Sequence, residues 1–457
     1  MRRLRQLAER TPAGRERYVD LLRAVAIGMV VVGHWGVTVI GRDAAGRPTG
    51  HSALGDLPWA YPLTWVAQVL PVFFLVGGFA NAASLTAHRR RGGDATGWLL
   101  DRSARLVPPT TVLLLVLALG AAGAHLWGID PAQVREVVWF ATIPLWFLVP
   151  YLAVVALTPP MHALHRRFGL AVPVALVGLV ALGDLGRLVG PEALATGNQL
   201  AGWLAVHQVG FAWYDAHARP AGDPGRDRTR HPLPTSRRAA TALLVGGFGA
   251  LLLLTTIGPY PVAMLHVPGE RLENDGPPSL ALLALATAQL GLILLLAGPA
   301  RRWLRRPGPW QAVIAVNSVV LTVFLWHLTA AVLLIGLLDV VGLLPTPAAG
   351  TAAWYAWRVP WLLLLALVLA GLVAVFGPVE ARAGRRRSAG ERSTGRRRVR
   401  TALVVAGYAA ALGGLLVNTV TPKSAPEPLG LPAPALVGYL AGAGLLRLLR
   451  SGWGTRG

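Results

Sequence analysis

The feature that most constrains this chain is the repetition of apolar runs about as long as a bilayer is thick. A helix crosses a bilayer core in about 20 residues. Runs of that kind recur at 18–40, 61–86, 100–124, 136–157, 170–189, 197–216, 239–258, 279–299, 312–336, 357–378, 401–420 and 431–448. The fold expected is therefore all-α, a polytopic helical membrane protein of twelve spans. The run 170–189 carries Asp184 and Arg187 and is the weakest of the first ten. The last is short and rich in Gly and Pro, and reads as a re-entrant segment. Composition agrees: 54% of residues are hydrophobic and 14% are charged, where a soluble domain carries roughly a quarter charged.

The net charge is nevertheless +22, and all but one of the 43 basic residues are Arg, Lys423 being the exception. Such a balance often signals nucleic acid, but here the charges are segregated. With the N-terminus placed in the cytoplasm, inside segments hold 35 basic residues, outside segments and outer span ends hold 7, and Arg23 lies within the first span. That split follows the positive-inside rule and gives an even number of spans with both termini cytoplasmic. The expected location is the cell membrane, with the lipid bilayer as the partner of the charged loops and no role for nucleic acid. The first apolar run is too long for a signal peptide and no small-residue cleavage site follows it. No cysteine is present, which removes disulfides, thiolate metal ligands and a thiol nucleophile. The Arg-rich loops 217–238 and 380–400 are poor in apolar residues and are expected to be disordered. The organisation predicted is a basic tail at 1–17, a ten-span unit at 18–378, an Arg-rich connector at 379–400, and two further spans with a short basic tail at 401–457.

Ionisable groups inside a membrane are costly, so each is a functional candidate. The first span reads Tyr18-Val-Asp20-Leu-Leu-Arg23 and then runs apolar to His34-Trp35. His34 lies eleven positions beyond Arg23, which returns them to within about 20° of one helical face, about 16 Å apart along the axis. Asp20 and Arg23 are spaced to pair. The ninth span carries Asn317 and Phe324-Leu-Trp326-His327. His34 and His327 each lie sixteen residues into a span of the same direction, so they should share a depth past the midplane. The third span opens with Arg102-Ser-Ala-Arg105 at its inner end. Two guanidinium forks on one face suit phosphate, although two more positive-inside arginines would look the same. His207 and Asp184 are lone, weaker candidates. Phosphate-loop, metalloprotease and serine-elbow motifs do not occur, and no metal site is expected.

These residues resemble the integral-membrane acyltransferase 3 family. Asp20-Leu-Leu-Arg23-Ala-Val-Ala-Ile with His34 looks like the family's first-helix motif, an Arg and a His separated by ten residues. Pro71-Val-Phe-Phe-Leu-Val-Gly-Gly-Phe79 resembles its second-helix signature, and Arg102-Ser-Ala-Arg105 its paired-Arg motif. Leu145-Trp-Phe-Leu148 and Phe324-Leu-Trp-His327 resemble later segments. The likeness covers roughly residues 17–378 in the family's ten-helix order. It departs at Gly77, where the family usually carries Ser, and the spans after residue 400 lie outside it. The pattern Ala80-Asn-Ala-Ala-Ser84 and the Arg-for-Lys bias are similar to actinobacterial members.

The resemblance implies an O-acyltransferase that moves an acyl group, acetyl or another short chain, from cytoplasmic acyl-coenzyme A to a hydroxyl. The acceptor would be a sugar, glycolipid, cell-envelope polymer or secondary metabolite. Acyl-coenzyme A would be a co-substrate, with no cofactor tightly bound. Arg102 and Arg105 would meet its phosphates. His34 would be the general base, since a neutral imidazole suits proton transfer from a hydroxyl. Arg23 would orient the donor or stabilise negative charge, and His327 would position the acceptor. The alternative is a proton-coupled secondary transporter relaying protons through His34, Asp184, His207 and His327. The halves show no self-similarity of the kind many transporters carry.

Overall fold

The computed structural model describes residues 15–218, 231–268, 270, 272–382, 394–425 and 427–451. Most of the tail at 1–17, the centre of the loop 217–238 and half of the connector 379–400 lie outside the described residues. The main helices are α1 (Arg17–Val37), α2 (Leu70–Arg90), α3 (Ala95–Leu126), α4 (Pro131–Thr142), α5 (Leu145–Phe168), α6 (Ala171–Val189) and α7 (Asn198–His217). They continue as α8 (Arg237–Thr256), α9 (Leu280–Trp303), α10 (Pro307–Asn317), α11 (Val320–Val340), α12 (Ala352–Arg382), α13 (Thr394–Val420) and α14 (Ala433–Arg450).

Ten of the described helical segments are long and apolar enough to cross a membrane, α7 and α14 not being among them. The chain is a polytopic helical membrane protein. α7 is too polar to face lipid, with Asn198, His207, Gln208 and Asp215 along it, yet it is buried on nearly every side. Neighbouring helices solvate it, and close packing by small residues makes that contact. A side chain at Gly78 of α2 would collide with the His207 carbonyl, and one at Gly210 of α7 with the Leu75 carbonyl.

Besides the run 61–86, whose long helix starts only at Leu70 after short helical turns at 58–67, three segments differ from the expectation of one continuous helix per apolar run. The run 136–157 is cut by Pro144, which precedes Leu145 at the start of α5. A proline disfavours helix in the residue before it and has no N–H to donate. α4 forms separately from Pro131, with the Asp130 carboxylate capping the Ala132 N–H, and the span proper is α5. The run 312–336 breaks between α10 and α11. There the Asn317 side chain turns back to the Val313 carbonyl at 2.9 Å. Glu380 of α12 supplies the missing cap, accepting from the N–H groups of Leu321 (3.1 Å) and Thr322 (2.7 Å). Unsatisfied N–H groups at a helix start attract a carboxylate. The last run is a full helix, α14, paired with α13, and not a re-entrant loop. The two touch through glycines, since a side chain at Gly414 would meet the backbone of Tyr439.

One end of the bundle carries the arginines, among them Arg15, Arg89–Arg91, Arg166 and Arg301–Arg306. It is the basic end. The opposite end carries a cap. There β1 (Thr38–Arg42) and β2 (Pro48–Ser52) pair antiparallel, with Thr38 opposite Ser52 and Arg42 opposite Pro48. A small separate core of Val39, Leu54, Leu57, Val267 and Trp354 joins this hairpin to the segments around 263 and 354.

Candidate active site

α1 and α11 lie side by side, locked by the Trp35 indole N–H donating to the His327 carbonyl at 2.9 Å. That contact brings the two histidines together. His34 Nδ1 is 3.0 Å from His327 Nε2, with the rings within 23° of parallel. His327 is wholly buried, and its Nδ1 faces the Phe324 carbonyl at 2.5 Å.

For two neutral rings this geometry dictates where the protons sit. A carbonyl only accepts, so His327 Nδ1 carries the hydrogen. His327 Nε2 is then a lone pair and must accept from His34 Nδ1–H. His34 Nε2 therefore keeps its lone pair and has no hydrogen-bond partner within the described protein. His34 is only half-buried, unlike His327. One imidazole holds the other with a basic nitrogen unspent.

Towards the basic end the same face of α1 presents Arg23. Its Nη1 lies 3.4 Å from Asp20, as the spacing predicts. Asp20, however, is taken more closely by Arg15, at 2.6 and 3.2 Å through two nitrogens. Arg23 keeps donors to spare. Arg102 of α3 is turned inward against α2. It donates to the Ser84 hydroxyl at 2.6 Å and the Ala80 carbonyl at 3.1 Å, and lies over the Trp98 ring. Arg105 is exposed. Arg23, Arg102 and Arg105 are within electrostatic reach of one another through Arg102. Neither Arg102 nor Arg105 has an ion-pair partner among the described residues, so together with Arg23 they leave net positive charge at the basic end of the bundle.

A line of rings joins the two groups. Tyr151, within electrostatic reach of Arg102, sits 5.9 Å from Phe147, which is 5.5 Å from Phe324, itself 5.9 Å from His327. Phe73 packs on Phe147 and Tyr151 from α2. Phe73, Phe147 and Phe324 lie in segments that carry the family resemblance, but neither they nor Tyr151 stood out as a connected line, because a ring in an apolar run reads as lipid-facing or core. Asn81 was also missed as a partner: its amide lies 3.1 Å from His207 Nε2. Glu380 was legible only as the last acid before an Arg-rich segment.

Two candidates are placed elsewhere. Asp184 is buried, and its oxygens accept from the Leu280 N–H (2.8 Å), the Tyr260 hydroxyl (2.9 Å) and the Asn198 amide (3.0 Å), with Arg187 at 3.5 Å. It ties α6, α7 and α9 together near the cap. His207, on α7, is packed against Asn81 of α2. Neither touches the histidine pair. The apolar crevice of about 80 Å³ lined by Pro71, Val206, Leu283 and Gln289 is lined by none of the candidate residues.

In the cap, outside the spans, Asp275 is buried with the Gln68 amide donating to it at 3.2 Å. Burial pushes its carboxyl up to about 7, and neighbouring Glu273 adds to the shift.

The fold and these residues define a class: a helical membrane protein with a histidine pair between two of its helices, one ring wholly buried and the other half-buried, and a cluster of arginines at one edge. The family described as Acyltransferase domain matches residues 16–379, and the chain belongs to this acyltransferase 3 family of membrane acyltransferases. No curated protein and no solved structure matches the chain.

Proposed function

We propose that this protein is an O-acyltransferase that takes its acyl group from acyl-coenzyme A on the cytoplasmic side and delivers it to a hydroxyl acceptor. The observation that carries the reading is the histidine pair with His34 Nε2 left unpartnered. In this reading the basic end faces the cytoplasm, by the positive-inside rule. The nucleotide phosphates meet Arg23, Arg102 and Arg105, where planar guanidinium forks match phosphate oxygens. The thin pantetheine arm runs along Tyr151, Phe147 and Phe324, and the thioester reaches the histidines.

The chemistry balances there without a covalent enzyme intermediate. His34 Nε2 removes the proton of the acceptor hydroxyl as its oxygen attacks the thioester carbonyl. The new C–O bond forms, the C–S bond breaks, and the imidazolium returns its proton to the departing thiolate. His327 keeps Nε2 towards the substrate by accepting the Nδ1 hydrogen, and it stabilises the imidazolium when His34 is charged. Acceptors in keeping with the cell-envelope setting are sugars, glycolipids, envelope polymers and hydroxylated metabolites.

The test uses membranes containing the full-length protein, radiolabelled acetyl-coenzyme A and an envelope extract. Wild-type membranes are expected to pass label into an alkali-labile ester fraction, and His34→Ala membranes with equal protein are not. Undiminished labelling in the variant would sink the reading. A proton-driven solute flux with no consumption of acetyl-coenzyme A would favour transport instead. The separation of Asp184 and His207 from the histidine pair gives such a relay no support.

A further inference from the structure

Asn317 stands where α10 ends, and the chemistry above leaves it unused. Its side-chain nitrogen donates to the Val313 carbonyl of its own helix and to the Asp20 carbonyl of α1, both at 2.9 Å. Carbonyls only accept, so both amide hydrogens are taken and the orientation of the group is fixed. The oxygen of the same amide, Oδ1, is buried and accepts from nothing among the described residues.

A buried acceptor without a donor is costly, and folded proteins hold few of them. Among the described residues four side-chain amide oxygens are in this position, on Gln208, Gln289, Asn317 and Asn418. Asn317 differs from the others in its place. Asp20, whose carbonyl it grips, is the partner of Arg23 three positions on. Immediately beyond the helix break, α11 carries Phe324 and His327, and His327 meets His34 of α1. Asn317 thus lies on the seam between the two strands of helix that hold Arg23 at one end and the histidine pair at the other.

The donors close by are spent elsewhere. The N–H groups of Leu321 and Thr322, freed by the break, go to Glu380. The Ser318 hydroxyl turns back to the Ala315 carbonyl at 2.7 Å. Arg23 faces the Asp20 carboxylate and makes no bond to Oδ1. What answers this oxygen must therefore bring its own hydrogen. In acyl-coenzyme A the phosphates are acceptors and the thioester carries no N–H. Between them lies the pantetheine arm, whose amide groups are N–H donors.

On the donor-site reading above, we infer that Asn317 is a donor-binding residue whose Oδ1 accepts an amide N–H of the pantetheine arm. It thereby tells acyl-coenzyme A from a bare nucleotide. The test is calorimetric binding of two probes to the detergent-purified full-length protein. One is coenzyme A; the other is adenosine 3′,5′-bisphosphate, which keeps nucleotide phosphates and lacks the arm. Asn317→Leu keeps the side-chain volume and removes the acceptor. It is expected to weaken coenzyme A binding about tenfold, the scale of one lost hydrogen bond with its partner stranded, and to leave the bisphosphate unchanged. Losing the ties to Asp20 and Val313 acts on the fold, and by itself would weaken both probes alike. Should Asn317→Leu fail to fold, Asn317→Ser can still donate to the Val313 carbonyl, as Thr110 does to Leu106, and is expected to show the same selective loss.

Unchanged coenzyme A binding in the folded variant would overturn the inference and assign Oδ1 to a buried water. Equal losses for the two probes would also overturn it, leaving Asn317 a structural tie. Arg102→Gln tests the reading beneath: it is expected to weaken both probes. Full-strength binding of both in that variant, or binding of neither by wild type, would overturn the donor-site reading, and the inference with it.

Discussion

His34 and Asp184 are both ionisable groups set among apolar helices, and they differ in what is left unspent. Every direction around the Asp184 carboxylate is answered by a donor, from α6, α7, α9 and the loop between α8 and α9. His34 is answered at Nδ1 only, by a partner that fixes its tautomer. A satisfied buried group is structure, because its bonds repay its desolvation. A group held rigidly by one atom and open at the other is arranged for something that arrives later. Position within a span, the signal available from sequence, does not separate the two cases.

The sharpest way to break this comparison is to remove His34. His34→Ala is expected to lower acyl transfer by roughly 10²- to 10⁴-fold, the usual worth of a general base, with the melting temperature little changed. A variant that loses stability in step with activity would place His34 beside Asp184 as a structural group.

His327 sharpens the same point. His327→Phe keeps the ring volume but removes the acceptor for the His34 Nδ1 hydrogen. The tautomer is then no longer specified, and kcat is expected to fall roughly 10- to 100-fold, as when a positioning partner is lost. Coenzyme A binding is expected to be unaffected, because His327 lies at the far end of the aromatic line from Arg102. Reduced coenzyme A affinity with normal kcat would assign His327 to the donor instead.

Asp184→Asn is expected to do the opposite of His34→Ala. The amide cannot accept from Tyr260, Leu280 and Asn198 together, so a buried donor is left unpaired at a cost of about 1–3 kcal/mol. The melting temperature should drop while kcat and coenzyme A affinity hold. Loss of transfer at unchanged stability would revive a chemical role for Asp184.

How much of this could be read from the chain follows the same division. The apolar runs locate the spans because bilayer thickness is a one-dimensional constraint, and the depth of His34 and His327 follows from counting along two parallel helices. Counting does not reveal which faces meet. The Trp35–His327 lock and the line from Tyr151 to Phe324 are products of packing between segments up to 300 residues apart, and aromatics carry no mark in an apolar run. Hydropathy also overlooked Pro144, which splits one run, and Glu380, which caps a helix broken inside another. α7 was legible as a helix of span length, but its polar residues keep it out of the set apolar enough to cross a membrane, and neighbouring helices bury it instead. The bonds from the Tyr408 and Tyr439 hydroxyls to the Leu99 and Val107 carbonyls of α3 had no signature at all: a single Tyr in each of two helices points nowhere until the helices are placed.

The smallest effect, and the finest test of the comparison, concerns Asp275 in the cap. It is buried like Asp184 but has fewer donors, the Gln68 amide and its own backbone N–H, with Glu273 nearby raising its affinity for a proton and His266 opposing. Its carboxyl titrates near 7 when folded, against 3.8 as an ordinary aspartate. Between about pH 4 and 7 the unfolded chain carries this group ionised while the folded cap holds it protonated, so folding takes up a proton. Stability from this source is full below about pH 4 and is lost as the pH rises through 7. Asp275→Asn cannot ionise and keeps an acceptor for Gln68. Melting temperatures of wild type and variant should therefore converge at low pH and separate towards pH 8, with the variant the more stable there. Parallel curves would show that the Asp275 carboxylate is accommodated as well as that of Asp184, and that the number of donors around a buried acid does not decide which of the two it becomes.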